Sequence, residues 1–275
     1  KMTVFDEMMY ATEVHRFDND PVMVCGEFKW DILRLFREVK IGIKKAAGMG
    51  ITSLAINTWG VDYGLLDADG KLIGNPYHYR DARTTAAIEE CHTKMSAKEI
   101  YERTGIQHNF FNTLYQMIAE VKTEQFKIAK TALFIPDLLS YMLTGVMKTE
   151  YTIASTSQML NARTRDFDRE LMDTFGIPNL FPPICESGEE YGYLTKEIKE
   201  ELGIDYDILV RSAPAHDTAS AVYSIASLDD SSAYVSMGTW LLIGTLENDA
   251  IITDKSFSYN LTNEGSPNGK YRLLK

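Results

Sequence analysis

Ala213-Pro214-Ala215-His216-Asp217-Thr218-Ala219-Ser220-Ala221 is the stretch on which the reading of this chain turns. It follows a strand-like run at 207–210 and opens a small-residue stretch, 218–226, that reads as a helix with Asp217 near its N-terminus. A charged side chain among Ala, Ser, Thr, Pro and Val is expected to be desolvated. It therefore needs a helix N-terminus, a hydroxyl partner or a substrate to stabilise it. Two readings stay open on pattern alone: a helix cap accepting from backbone N–H groups, or a general base held beside a bound hydroxyl, with small neighbours admitting a ligand.

Working outward, helical and strand patterns alternate, which argues for an α/β protein. Residues 29–48 carry Trp30, Leu33, Phe36, Val39 and Ile43 near a 3.6 period, so an amphipathic helix is expected. A buried strand follows at 51–57, then a strand-turn-strand signal around Asp69-Gly70, pairing 63–66 with 71–73. Helices are expected at 84–95, 97–104, 112–130 and 136–143, and a largely helical acidic region at 186–202. Apolar runs at 232–236 and 241–245 flank Met237-Gly238-Thr239-Trp240 as a hairpin.

Composition narrows the function. The 275 residues are 45% hydrophobic and 24% charged, ordinary for a globular chain, with a net charge of −11. That sign disfavours a sequence-independent grip on nucleic acid or an anionic membrane, but leaves nucleotide binding open, since backbone N–H groups supply local positive potential. No uncharged run exceeds 16 residues, so no membrane span is expected, and residues 1–10 do not read as a secretory signal. Cys25, Cys91 and Cys185 are an odd, widely spaced set that reads as free core thiols in a reducing cytoplasm, without metal-ligand spacing.

Two further constellations carry chemistry. Asn57-Thr58-Trp59-Gly60-Val61-Asp62-Tyr63 with Tyr79-Arg80-Asp81-Ala82-Arg83-Thr84 suits a sugar. An indole packs on C–H faces, Gly admits close approach, and Asp, Asn and Arg bind hydroxyls. Its competing reading is a strand-end turn plus a helix-capping Asp81. The Gly238-Thr239 turn reads as a phosphate-holding hairpin with unpaired N–H groups and a hydroxyl, or as a plain hairpin. Neither G-x-x-x-x-G-K-[ST] nor G-x-G-x-x-G occurs, which removes support for a P-loop NTPase and a dinucleotide dehydrogenase.

These segments also occur in a telling order: Thr58-Trp59-Gly60-Val61-Asp62-Tyr63, Tyr79-Arg80-Asp81-Ala82-Arg83-Thr84, Gly105-Ile106-Gln107, Phe111-Asn112-Thr113-Leu114-Tyr115-Gln116, Pro136-Asp137, Glu150-Tyr151-Thr152, His216-Asp217-Thr218, Gly238-Thr239-Trp240 and Thr262-Asn263-Glu264-Gly265. In that order they resemble the FGGY carbohydrate kinases, in particular the branch that phosphorylates rhamnulose. The resemblance implies an actin-like, ribonuclease-H-type ATPase fold and transfer of the ATP γ-phosphoryl group, with Mg2+, to the 1-hydroxyl of L-rhamnulose. Carried over by position, Asp217 is the expected general base. Trp59, Gly60, His216 and Thr218 join it in the sugar site, and Gly238 and Thr239 contact ATP. The resemblance further implies a sugar-binding domain at 1–226 and the start of an ATP-binding domain at 227–275. The family's first phosphate loop and most of its second domain find no counterpart here, so little phosphoryl transfer is expected of residues 1–275 alone. The competing expectations are a kinase for another ketose such as fuculose or xylulose, a non-catalytic sugar-binding module, and a glycoside hydrolase pairing Asp62 with Asp217.

Overall fold

The computed structural model of the chain describes residues 1–226, 228–229, 231–238 and 240–275. At its centre the strand Ser53–Ala55 runs parallel to Leu209–Arg211, which pairs antiparallel with Glu190–Tyr193 on its other side. The helix Ile32–Ala47 lays Ile43 against the buried Leu194, Ile208 and Val210. It starts three residues later than the periodicity suggests. Glu27–Trp30 forms a strand with Pro21–Val24 instead, and Asp31 then caps the helix by accepting from the Arg34 N–H.

A second sheet pair, Tyr63–Leu66 antiparallel to Thr131–Phe134, leads into the main hydrophobic core, where Tyr63, Phe134, Leu114 and Ile153 meet. The turn at Asp69-Gly70 forms, with Gly70 at φ +76° and the Asp67 N–H donating to Lys71 O, but its second arm makes only the bridge Leu66–Leu72. The principal partner of 63–66 is thus 131–134, a strand that the helical reading of 112–130 leaves at its end. That helical stretch divides into Thr113–Glu120 and Glu124–Ile128, because the Thr123 side chain caps a new helix by accepting from the Phe126 N–H.

The expectation of helix over 186–202 is corrected. Glu190–Tyr193 is a strand, and only Lys196–Leu202 is helical, capped by Thr195. Gly192 at φ +113° cannot sit in a right-handed helix, and pairing with Leu209–Arg211 buries Tyr191 in the core. The expected hairpin does form, from Ala233–Met237 and Leu241–Glu247, and two more strands, Tyr271–Leu274 and Thr262–Gly265, extend it to a four-stranded sheet. That sheet docks on the rest of the chain by polar contacts. The Gly265 N–H donates to Ser155 Oγ at 2.7 Å, the Asn263 N–H donates to Gly105 O at 2.9 Å, and the Tyr271 hydroxyl donates to Ala162 O.

The thiols divide. Cys91 and Cys185 are buried and unpaired, and burial pushes each up to about 12, whereas Cys25 is exposed on the turn between Pro21–Val24 and Glu27–Trp30, not in the core. Among the described residues no helix is long and apolar enough to cross a membrane.

Two outcomes follow from this packing. A Cβ at Gly265 would sit 2.5 Å from a ring carbon of Tyr151, so Gly265→Ala should destabilise the chain by about 1–3 kcal/mol. A lowered urea midpoint at unchanged slope is the expected reading; an unchanged midpoint would contradict the close packing. A thiol reagent at pH 8 should label Cys25 in the native chain and Cys91 and Cys185 only on unfolding.

Candidate functional site

The site is built where the two central parallel strands end. Three residues past Ala55 and five past Arg211 the pairing resumes, as an isolated parallel bridge between Thr58 and His216. The Thr58 N–H donates to Ala215 O at 2.9 Å, and the Asp217 N–H donates to Thr58 O at 2.8 Å. This is the carboxyl end of a parallel pair, the usual place for a ligand in an open α/β sheet. From behind, Glu150 Oε2 accepts from the Ala215 N–H at 3.1 Å and from Thr152 Oγ1 at 2.7 Å, and Thr152 Oγ1 accepts from the His216 N–H at 3.3 Å. Burial raises the Glu150 carboxyl pKa above its ordinary value, against the pull of donors from Ser187 and Thr152. The Glu150-Tyr151-Thr152 segment thus braces the loop that carries His216 and Asp217, a role that its sequence alone does not disclose.

Trp59, Gly60, His216, Asp217, Thr218 and Gly238 all line one cleft of about 540 Å³. Thr239, the other residue expected at a phosphate, lies outside the described residues. Asp217 is the first residue of the helix Asp217–Tyr223, and the capping position belongs to His216. Asp217 is therefore not the cap, although it does accept from one backbone N–H of the first turn, as that reading expected. The expectation of a desolvated carboxylate fails: its side chain is 58% exposed, opening into the cleft, while Oδ1 accepts from the Thr218 N–H at 2.6 Å. The small neighbours leave room around the carboxylate instead of burying it.

Gly60 has a structural reason to be glycine: a Cβ there would lie 3.0 Å from Thr156 Cγ2 and Oγ1, and Thr156 lines the cleft beside it. The next residue, Val61, is held at φ +66°, a costly conformation for a β-branched residue. Three side-chain bonds hold it: its N–H donates to Thr156 Oγ1 at 3.0 Å, and its carbonyl accepts from Thr113 Oγ1 at 2.7 Å and Gln116 Nε2 at 3.4 Å. That turn faces Trp59 into the cleft and sends Asp62 inward.

Asp62 is buried and fully engaged. Its carboxylate accepts from the indole N–H of Trp30 at 2.6 Å and of Trp59 at 2.9 Å, from Gln116 Nε2 at 3.0 Å and from the Tyr79 N–H at 3.1 Å. It holds a cleft-lining indole and does not face Asp217, so the paired-carboxylate reading of a glycoside hydrolase is lost. Asp81 and Arg83 are likewise committed to the scaffold. Asp81 accepts from the Phe28 N–H at 2.7 Å and the Arg83 N–H at 2.8 Å, capping nothing, and Arg83 is ion-paired with the buried Glu120. Of the segment 79–84 only Tyr79 reaches the cleft.

The hairpin supplies the opposite wall. Gly238 opens on the cleft with nothing within 4 Å of a Cβ built there, but its N–H donates to Trp240 O at 3.1 Å and is not free for a phosphate, contrary to the sequence reading. Trp240 meets Phe111 with ring centroids 5.9 Å apart, and Phe111 meets Tyr79 at 5.8 Å, so an aromatic row crosses from one wall to the other. Glu264, which the sequence marks only as part of Thr262-Asn263-Glu264-Gly265, also lines the cleft, and Arg272 stands behind it. The available signal was a charge, Arg272, inside the apolar strand Tyr271-Arg272-Leu273-Leu274.

With this geometry in view, the comparisons with known proteins are direct. Residues 20–224 match the N-terminal domain of the FGGY family of carbohydrate kinases. The chain belongs to that family. It is 42% identical over 268 residues to the rhamnulokinase of Bacteroides thetaiotaomicron, covering 96% of this chain and 55% of that protein. It is 40% identical over 275 residues to the rhamnulokinase of Halalkalibacterium halodurans, covering 98% and 58%. The chain therefore spans about half the length of the curated relatives it matches. Among solved structures, a ligand-bound xylulose kinase from Lactobacillus acidophilus superposes with a TM-score of 0.86 at 20% identity, over 99% of this chain and 56% of that one. A glycerol kinase from Plasmodium falciparum with ADP gives 0.79 at 17%, over 94% and 55%. The fold is that of the FGGY sugar kinases, the actin-like ATPase fold.

Asp62 gives this site a spectroscopic handle. Burial pushes its carboxyl up to about 6 despite four donors. Since the folded value lies above the ordinary one, the folded chain binds this proton more tightly than the unfolded chain. The stability it contributes is complete below the ordinary value of 3.8 and is lost as pH rises through about 6. Two of the three tryptophans donate to it, so Trp emission should titrate with a midpoint near 6 and Asp62→Asn should abolish that component. A titration that survives the substitution would assign it elsewhere.

Proposed function

We propose that the protein to which this chain belongs is an ATP-dependent ketose kinase acting on the 1-hydroxyl of L-rhamnulose, with Asp217 as general base. The observation that carries the reading is the convergence of Trp59-Gly60 and His216-Asp217-Thr218 on one cleft with the Asp217 carboxylate open to it. Rhamnulokinase relatives at about 40% identity support the choice of ketose. In this reading the sugar lies against Trp59 and the Gly60 backbone, its 1-hydroxyl within reach of Asp217. The carboxylate takes the hydroxyl proton as the oxygen attacks the γ-phosphorus, and the bond from that phosphorus to the β–γ bridging oxygen breaks, releasing ADP. Such chemistry depends on holding the partners in line more than on covalent help from the protein.

Residues 1–226 would supply the sugar side, and 227–275 the beginning of the ATP side, with Gly238 and Thr239 towards the phosphates. Mg2+ enters this reading as the complex with the ATP phosphates. Unpaired thiols and an ATP-dependent reaction suit the cytoplasm.

The test is Asp217→Asn in the complete protein. Loss of a positioned base should lower turnover about 10²- to 10⁴-fold, while calorimetry shows sugar affinity within about threefold of the parent. Turnover at the parent rate would refute the role of Asp217. A panel of L-rhamnulose, L-fuculose and D-xylulose fixes the ketose, with L-rhamnulose expected to show the highest kcat/KM. Sugar binding without phosphorylation of any of them would make the protein a binding module.

A further inference from the structure

Glu264 and Arg272 face each other across the antiparallel pair Thr262–Gly265 and Tyr271–Leu274. Arg272 is fully buried, and its Nη2 donates to Glu264 Oε2 at 2.9 Å and its Nε to Gly265 O at 3.1 Å. Burial alone would raise the Glu264 carboxyl, but Arg272 and His216 more than reverse this and bring it to about 2, so it is an anion throughout the working pH range. A buried ion pair is weak evidence of a stabilising device, because desolvation consumes most of its Coulomb energy. What this one touches is more informative.

His216 Nδ1 lies 3.1 Å from Glu264 Oε2 and 3.2 Å from Arg272 Nη2, and on the other edge of the ring Nε2 lies 3.4 Å from Asp217 Oδ1. The imidazole is 12% exposed against 58% for Asp217, so it forms a half-buried link between a fixed ion pair and an open carboxylate. The protons can then be assigned by elimination. If the ring is neutral with its proton on Nδ1, that N–H gains Glu264 Oε2 but meets Arg272 Nη2, which can only donate, and the Nε2 lone pair is left beside the Asp217 carboxylate: one matched contact against two opposed. If it is neutral with its proton on Nε2, Nδ1 accepts from Arg272 and the N–H faces Asp217, against one opposed contact, the Nδ1 lone pair 3.1 Å from Glu264 Oε2. If it is cationic, Nδ1–H donates to Glu264 and Nε2–H again faces Asp217. The cation likewise matches two contacts and opposes one, Nδ1–H against Arg272 Nη2, so the two states with more matched than opposed contacts both keep the proton on Nε2.

We infer that the Glu264–Arg272 pair positions the reactive carboxylate: it holds His216 as an N–H donor at Nε2, directed at Asp217. The inference rests on the reading of Asp217 as the base. It also reaches across the molecule, since the pair belongs to the sheet that includes the hairpin, while His216 and Asp217 belong to the loop clamped by Thr58. Seating of that sheet and orientation of the carboxylate are thereby coupled. Neither Glu264 nor Arg272 is a catalytic residue in this account, as each acts through the histidine.

The experiment measures His216 directly by long-range 1H–15N NMR of the imidazoles in the chain, with the His216 signals assigned by their loss in His216→Asn. Nε2 is expected to be protonated at pH 7.5. Glu264→Gln should shift the His216 signals. Because that substitution strands a buried Arg272 at a cost in folding stability, Glu264→Gln/Arg272→Met, which removes both charges, is the second variant. In it the Nε2-protonated form should lose its preference. In the complete protein, the same double variant should lower kcat about tenfold with the KM for the sugar within about twofold, a split that general loosening would not produce. An unprotonated Nε2 in the parent overturns the inference. So do His216 signals unmoved in the folded variant, or signals that move while kcat stays at the parent value. Normal turnover of Asp217→Asn would sink the base reading while leaving the NMR result on His216 in place, so the two failures are distinguishable.

Discussion

The bridge between Thr58 and His216 is the constraint on which the rest depends. Two backbone hydrogen bonds, at 2.9 and 2.8 Å, tie the end of one central parallel strand to the end of the other. They bring into register two loops separated by more than 150 residues of chain. One loop carries Trp59 and Gly60, the other His216 and Asp217. Side chains alone could not hold such a register, since each would lose rotamer freedom on ordering. Backbone groups at a strand end must find partners in any case, so here the fold's own pairing requirement aligns the site.

Buried charge is used consistently as a brace around that junction. Glu150 satisfies the Ala215 N–H from behind, Asp62 gathers two indoles, and Glu264 with Arg272 contacts His216. None of these groups is the proposed reacting one. Each lies in a place where leaving it unpaired would be costly, and each is paired with a group that shapes the cleft. The exposed carboxylate of Asp217 is the exception, and exposure is what a group that must meet a substrate requires. Sites of this kind gain accuracy from supporting hydrogen bonds rather than from additional contacts to the ligand.

The strain at Val61 belongs to the same design. A β-branched residue at positive φ costs on the order of 1–3 kcal/mol, and Thr113, Gln116 and Thr156 together hold it there. The result is a sharp reversal that sends Trp59 to the cleft and Asp62 to the interior within four residues. Asp62 then returns the favour by accepting from the Trp59 indole. The aromatic row Tyr79, Phe111 and Trp240 links this wall to the hairpin, so the four-stranded sheet bounds one side of the cleft and meets the rest of the chain through rings and through Gly265, Asn263 and Tyr271.

How much of this was legible beforehand differs by kind of feature. Local chemistry was readable: the alternation of periods gave α/β, and helices stand at Ala97–Thr104 and Ile135–Thr144, where 97–104 and 136–143 were expected. The ordered motifs identified the family and the residues Trp59, Gly60, His216, Asp217, Thr218 and Gly238 that the cleft gathers. Where local pattern misled, a distant partner was responsible. Residues 190–193 are strand because Leu209–Arg211 pairs with them, and Asp81 and Arg83 are scaffold because Phe28 and Glu120 reach them. The sequence by itself determined which residue types stand at the strand ends. Only the tertiary structure decided which carboxylates are spent on the protein, as Asp62, Glu150 and Glu264 are, and which, Asp217, stays open. That division depends on burial and on donors contributed from far along the chain, and neither is encoded in the spacing of neighbouring residues.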